Sequence, residues 1–471
     1  MSRSAHPAGP RHADVLAPDH LGLPPADLNA LAPQVWPATA RRLDGELTLG
    51  GIGVRDLVAR YGTPLYVYDE LDVRRRAREW ATAFHDGEVF YASKAFLCIA
   101  LAQWVAEEGL GLDVCSGGEL TVALAAGVDP QYVVFHGNNK SEGELAQAVG
   151  SGVRTVVVDS FAEIDRLCRV AKAAKVTQRV LVRVTVGVEA HTHEYIATAH
   201  EDQKFGFSLA SGAALEAVEE VVGRKELVFG GLHSHIGSQI FDTAGFEVAA
   251  ARLVDLVAKI RDRHSIVVEE LDLGGGLGIA YLVGDHPMGV RQFAERLAEI
   301  VATQCARSEV VTPKVSVEPG RAVVGNAGVT LYRVGTVKDV DLGGGEYRRY
   351  VSVDGGMSDN IRTALYDATY TAALASRDSS APPVLSRIVG RHCESGDIVV
   401  RDVYLPSDVS RGDLLAVAAT GAYCRSMSSN YNFTGRPAVV GVRDGRGTLL
   451  LRRETEDDLL RLDTMWSGSE A

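Results

Sequence analysis

The stretch VFYASKAFLCIALAQWVAEEGLGLDVCSGGELTVALAAGVDPQYVVFHGNNK (89–140) holds three apolar runs that end abruptly in polar or glycine residues. They are VFYASK (89–94), LDVCSGGE (112–119) and VVFHGNNK (133–140). Their starts lie about 22 residues apart, close to the minimum for a strand followed by a returning helix. Between the second and third, GELTVALAAG (118–127) has helix-like apolar spacing and a glycine stop, and GELAQAVGSG (143–152) repeats that texture. Working outward, five more runs follow: VVVDS (156–160), VLVRVTV (180–186), LHSHIGS (232–238), LDLGGG (271–276) and VSVEPGR (315–321). Eight near-continuous β runs alternating with helices predict an α/β fold with a parallel sheet covered on both faces. Eight strands close a (β/α)8 barrel of about 250 residues, with an open doubly wound sheet as the alternative.

Beyond about residue 330 the texture becomes short, β-rich and punctuated by Gly, Asp and Pro, as in YRRYVSVDGG, VLSRIVG, IVVRDVYLP, DLLAVAATGAY, AVVGVRDG and TLLLRRE. This predicts an all-β C-terminal domain, sandwich-like or barrel-like. ELTLGGIGV (46–54) offers it an N-terminal strand. One segment breaks the pattern: SDNIRTALYDATYTAALA (358–375) reads as a helix capped by Ser358 or Asp359. The organisation expected is an irregular Pro/Ala-rich segment at 1–40, a strand region at 41–64, a barrel at 65–327 and a β domain at 328–471.

Composition excludes several classes. Lys and Arg number 48 against 61 Asp and Glu, so the net charge is −13 over 471 residues and no basic nucleic-acid footprint exists. No run reaches the ~18 apolar residues of a membrane span. The six cysteines (98, 115, 168, 305, 393, 424) form no CxxC pair, which fits a reducing cytoplasm better than a disulfide scaffold. The first twenty residues have no apolar core of a secretory signal.

In a barrel, chemistry sits at the C-terminal strand ends, which here carry Lys94, Asp113, His136, His235, Gly274 to Gly276, Glu318 and Arg321. Glycines at a strand end leave backbone N–H groups bare, and the loops after strands seven and eight commonly hold phosphate. The GGG stretch lacks the last glycine of GxGxxG, since residue 279 is Ile, so a dinucleotide fold is poorly supported. A helix is possible after it. His233 with His235, and His191 with His193, are HxH pairs that could hold a metal, serve as core residues, or do stacking or acid/base work. A lysine at the mouth is a rim ion pair or a nucleophile. Lys94, the acid Glu318 and a phosphate cradle on one rim together suggest pyridoxal phosphate.

These motifs, in chain order from about Thr63 to Val442, resemble the diaminopimelate decarboxylase family of barrel-type (fold-type III) pyridoxal-phosphate enzymes. The matching pieces are YASKA (91–95), LDVCSGGEL (112–120), HGNNKS (136–141), HSHIGSQ (233–239), LDLGGGLGI (271–279), EPGR (318–321), VDGGMSDN (353–360), CESGD (393–397) and GAYCRSMSSNYN (421–432). The loop HTHEYIATAHEDQKFGFS (191–208) is similar to actinobacterial members. The resemblance implies that Lys94 forms the internal Schiff base, His235 stacks on the cofactor ring and Glu318 pairs with its pyridine nitrogen. It assigns phosphate to Ser238, Gly274, Gly275, Gly276 and the loop with Gly320 and Arg321. It gives substrate to Arg321, Arg362, Tyr366, Glu394 and Tyr423, with Tyr423 also against the cofactor, and proton donation to Cys393. In the family Cys393 and Glu394 enter a neighbouring subunit's site, which implies a homodimer. No metal is expected.

The family more often has RPALY where this chain has IRTALY (361–366), so Thr363 stands in place of Pro while Arg362 and Tyr366 remain. Relatives acting on ornithine, lysine or arginine have an acidic residue where Arg362 stands. The substrate implied is therefore meso-2,6-diaminoheptanedioate and the product L-lysine, the last step of lysine biosynthesis. A metal-dependent hydrolase, a non-catalytic cofactor carrier, and a diamine-forming or carboxynorspermidine-type decarboxylase are the alternatives.

Overall fold

A computed structural model describes residues 23–188, 204–343 and 346–467. It divides into two compact units. Among the described residues, one spans Arg74–Ile279 and His286–Val323; the other takes those up to Val73, Ala280–Asp285 and those from Val324 on.

The first unit is the barrel. Its strands are β1 (Glu88–Ala92), β2 (Gly111–Val114), β3 (Val133–Phe135), β4 (Thr155–Val158), β5 (Gln178–Thr185), β6 (Leu227–His233), β7 (Glu270–Asp272) and β8 (Lys314–Val317). Each pairs in parallel with the next, and β8 returns to β1, so the sheet closes. All eight apolar runs became strands, as a sheet buried on both faces requires. Phe90, Val134, Val157 and Leu181 cluster between the strands as a buried plug. A two-residue strand, Phe207–Ser208, adds to the side of β5.

The turns after β2, β3 and β4 share one device. Ser116, Ser141 and Ser160 each accept a hydrogen bond from the N–H three residues on, at Glu119, Glu144 and Glu163. Each opens a helix, over Gly117–Ala125, Glu142–Ser151 and Phe161–Ala174, and so fixes where the strand-end residues stop. At Ser141 the capping box is complete, and Gly152 closes that helix in the left-handed region.

The second unit is β-rich. A seven-strand path runs Ile398–Pro406, Pro383–Val389, Glu346–Val353, Gly328–Gly343, Leu65–Asp69, Ala438–Arg443, Arg446–Leu451. Leu65–Asp69, buried at all five residues, lies antiparallel to Gly328–Gly343 and parallel to Ala438–Arg443. Glu46–Leu49 forms a small sheet with Arg41–Leu43 and Ile52–Gly53, and Leu47 N–H donates to Ala375 O within the same unit. Between residues 23 and 40 no helix or strand precedes Arg41, yet Val35 and Trp36 are buried in the core of this unit.

Three expectations fail. The helix read over 358–375 shrinks to Arg362–Tyr366, and Ala372–Leu374 is a strand paired with Leu414–Val417. Ile361, rather than Ser358 or Asp359, is its N-terminal flanking residue, and it makes no side-chain cap. No helix follows the triple glycine: Leu277 instead bridges to Ile240, and the next helix is Val290–Arg307. All six cysteines are free.

Candidate active site

Lys94 stands on the single 3-10 turn Ser93–Ala95 directly after β1, with its side chain exposed. Its charge acts on Asp113, Cys115, Glu119 and His235. Asp113 is buried on β2. His136, immediately past β3, His233, the last residue of β6, and Glu318, immediately past β8, are buried and converge. His136 Nε2 lies 2.6 Å from Glu318 Oε1, and His233 Nε2 lies 3.3 Å from Oε2. The two imidazoles meet edge to face with centroids 4.8 Å apart.

This packing shares out charge. Burial opposes ionisation of Glu318, but the imidazoles of His136 and His233 outweigh it and hold that carboxyl well below the usual range. Burial raises Asp113, and burial with the nearby Glu318 and Glu270 charges raises Asp272 well above a normal carboxyl. Burial takes His233 down to about 4, and burial together with Lys94 keeps His235 neutral as well. Glu318 is thus held ionised where burial disfavours charge on Asp113, Asp272, His233 and His235.

The glycine loop after β7 is a tight cradle. Gly274 has φ +68°, and a Cβ there would come 2.8 Å from His235 Nδ1. A Cβ on Gly275 would lie 2.2 Å from the Glu318 carbonyl oxygen, and one on Gly276 2.7 Å from Gly237 O. Arg321 Nη2 donates to Ser238 Oγ at 3.0 Å, joining the loops after β6 and β8. Gly320 packs on β1, where a Cβ would meet that of Ala92 at 3.0 Å. The barrel unit thus gathers His235, Ser238, the three glycines, Glu318, Gly320 and Arg321 on one rim.

Of the two HxH pairs, His191 and His193 lie outside the described residues. His233 and His235 do not act as a pair. His233 joins His136 and Glu318 in a three-donor cluster within 4.8 Å, the sole such group among the described residues.

The β-rich unit holds the remaining candidates. Arg362 opens its short helix and is buried; Tyr366 closes it, half-buried. Arg362 Nη1 donates to Tyr281 Oη at 2.9 Å and to Tyr370 Oη at 2.6 Å. Cys393 and Glu394 are exposed. Asn432 Oδ1 accepts from Cys393 N–H at 3.3 Å and sits 3.1 Å from His392 Nδ1. Tyr423 is half-buried with φ +60°. Sequence reasoning gave no role to His136, Asp113, Tyr281 or Tyr370. The first two were visible as barrel strand ends; nothing in spacing marks the tyrosines.

A family model described as pyridoxal-dependent decarboxylase, pyridoxal binding domain, matches residues 70–325. The chain is 55% identical over 470 residues to the diaminopimelate decarboxylase of Mycobacterium leprae (strain TN), covering 98% of this chain and 99% of that protein. The chain belongs to the diaminopimelate decarboxylase family. The Bacillus subtilis (strain 168) member is 47% identical over 423 residues, covering 89% of this chain and 95% of its own. The crystal structure of the M. jannaschii diaminopimelate decarboxylase in co-complex with L-lysine superposes with a TM-score of 0.84 at 32% identity. It covers 90% of this chain and 97% of that one.

As a member of this family the chain is a pyridoxal-phosphate-dependent carboxy-lyase with the fold-type III architecture. The barrel rim fits that cofactor. Ser234 Oγ is buried on that rim with no hydrogen-bond partner among the described residues. The loop at Gly274 to Gly276 leaves no room for any side chain, so a phosphate can approach its backbone closely, although Gly274 N–H itself donates to Asp272 Oδ1 at 2.8 Å.

Proposed function

We propose that the chain decarboxylates meso-2,6-diaminoheptanedioate to L-lysine and CO2, completing lysine biosynthesis. The observation that carries this reading is Arg362, a guanidinium 5% exposed inside the β-rich unit. A buried cation calls for an anionic partner, and the distal carboxylate of this substrate supplies one. Ornithine and lysine lack that group, and leaving such a site unpaired can cost about 10⁴-fold in discrimination.

The cofactor would attach covalently through Lys94, with its phosphate on Ser238, Gly274, Gly275, Gly276, Gly320 and Arg321. His235 would lie against its ring, Glu318 would hold its pyridine nitrogen protonated, and Tyr423 would contact both cofactor and substrate. Pyridoxal phosphate, when bound, accepts the electron pair released as CO2 leaves. Glu318 suits its part because its two imidazole neighbours keep it ionised. The neutral imidazole of His235 can lie flat on an aromatic ring without adding a cation beside Lys94. After CO2 departs, the thiol of Cys393 would deliver a proton to Cα. Arg321, Arg362 and Tyr366 would bind carboxylates, and Glu394 the distal ammonium.

Cys393 and Glu394 are exposed in this chain, which supports a homodimer in which they serve the neighbouring subunit's site. The free cysteines support a reducing, cytoplasmic location. Among the described residues no helix is long and apolar enough to cross a membrane.

The test is CO2 release and product identity from purified holoenzyme offered meso-diaminoheptanedioate, L-ornithine and L-lysine separately. L-Lysine formed from the first, with the other two inert, is expected. Turnover of ornithine or lysine instead would refute the specificity reading while keeping the decarboxylase.

A further inference from the structure

The surroundings of Arg362 go further than its burial. A guanidinium has five N–H donors in one plane, and a carboxylate can fork onto it end-on, through Nη1 and Nη2, or side-on, through Nε and Nη2. In this chain Nη1 donates to both Tyr281 Oη and Tyr370 Oη, which uses both of its hydrogens. Among the described residues no hydrogen bond reaches Nε or Nη2. The end-on fork is closed and the side-on fork is left open.

The two tyrosines are built to hold this arrangement. Their rings meet edge to face with centroids 5.3 Å apart, and the Arg362 guanidinium carbon lies 5.1 Å and 5.7 Å from those centroids. Tyr281 is pinned through its backbone: its N–H donates to Asp285 Oδ2 at 2.8 Å, and its carbonyl accepts from Thr371 Oγ1 at 2.7 Å. Tyr370 is 1% exposed, and its hydroxyl also lies 3.7 Å from the Cys424 thiol. Burial pushes the Tyr370 phenol well above its ordinary value, so a neutral hydroxyl accepts from the cation and the positive charge stays uncancelled.

We propose that Tyr281 and Tyr370 are positioning residues that dictate which edge of Arg362 reads a carboxylate, and thereby set the preference for a substrate carrying one at its far end. This rests on the reading that Arg362 takes that distal carboxylate. With Nη1 capped, the guanidinium cannot swing to an end-on pose, so the ordering cost of the fork is met before substrate arrives. Lys in place of Arg362 could not reproduce the planar fork.

The experiment compares Tyr281→Phe and Tyr370→Phe holoenzymes with wild type, alone and combined with Arg362→Ala. Each Phe keeps the ring and its packing, and melting temperature confirms the fold. The expected result is a KM for meso-diaminoheptanedioate raised about tenfold per lost hydroxyl, the scale of one charged hydrogen bond, with kcat falling less than KM rises. In the Arg362→Ala background the added Phe changes KM no further, a dependence that a merely structural role would not produce. If Arg362→Ala raises KM while both Phe variants leave it unchanged, the positioning role is overturned and the substrate reading stands. If Arg362→Ala itself leaves KM unchanged, the substrate reading falls and takes the proposal with it.

Discussion

Glu318 shows how a single position is tuned by what surrounds it. Two imidazoles at 2.6 Å and 3.3 Å keep its charge in place, while burial suppresses charge on Asp113 and Asp272 nearby. Glu318→Gln preserves shape and removes the charge. Turnover should fall about 10²- to 10⁴-fold, with cofactor still bound as read from its absorbance. Glu119 is the opposite case. Burial raises its carboxyl to about 7, although the Cys115 N–H donates to Oε2 at 2.6 Å. Its folded pKa lies above the ordinary 4.5, so the folded state binds more protons between those values. Stability should therefore drop as pH rises from about 4.5 to about 7. Urea midpoints at pH 5 and pH 8 check this, and Glu119→Gln should show the smaller loss over that interval.

Among the elements, the loop after β7 is the most constrained by space. A methyl group on Gly275 would meet the Glu318 carbonyl at 2.2 Å, so Gly275→Ala must displace the rim backbone. We expect a loss of about 1–3 kcal/mol or more in stability, with weaker cofactor retention. Gly143→Ala, where nothing lies within 4 Å, is the control and should be neutral or stabilising by calorimetry. The eight barrel strands were legible because each is apolar on both faces and stops sharply at a polar or glycine residue. The segment 358–375 was not. Ala372, Ala373 and Leu374 are good helix formers, but their hydrogen-bonding partner is Leu414–Val417, some forty residues on. Asp367, in the left-handed region at φ 52°, ends the helix after five residues. Of the candidate site, Lys94, His235 and Glu318 stood out as strand ends, and Arg362 was named only through the family resemblance. Tyr281 and Tyr370 were not legible, because they stand 81 and 8 residues from Arg362 and only the fold brings them to it.

For the whole molecule, the proposed dimer makes a prediction of its own. Lys94→Ala and Cys393→Ala should each be nearly inactive alone. If Cys393 serves a neighbour's site, a heterodimer of the two variants carries one site with both changes and one with neither. Random remixing should then restore about a quarter of wild-type activity, since half of the dimers are mixed. Activity that stays absent after verified subunit exchange would place Cys393 in its own chain's site.

The strand Leu65–Asp69 has a consequence for biosynthesis. Its five buried residues pair with Gly328–Gly343 and Ala438–Arg443. Both partners leave the ribosome more than 250 residues later. At about 5–20 residues per second, the strand spends roughly 10–50 seconds as a nascent apolar segment with no partner. A barrel expressed without the chain beyond Val323 would keep that segment bare permanently, so chaperone dependence and aggregation of truncated products follow from where the N-terminus is tied.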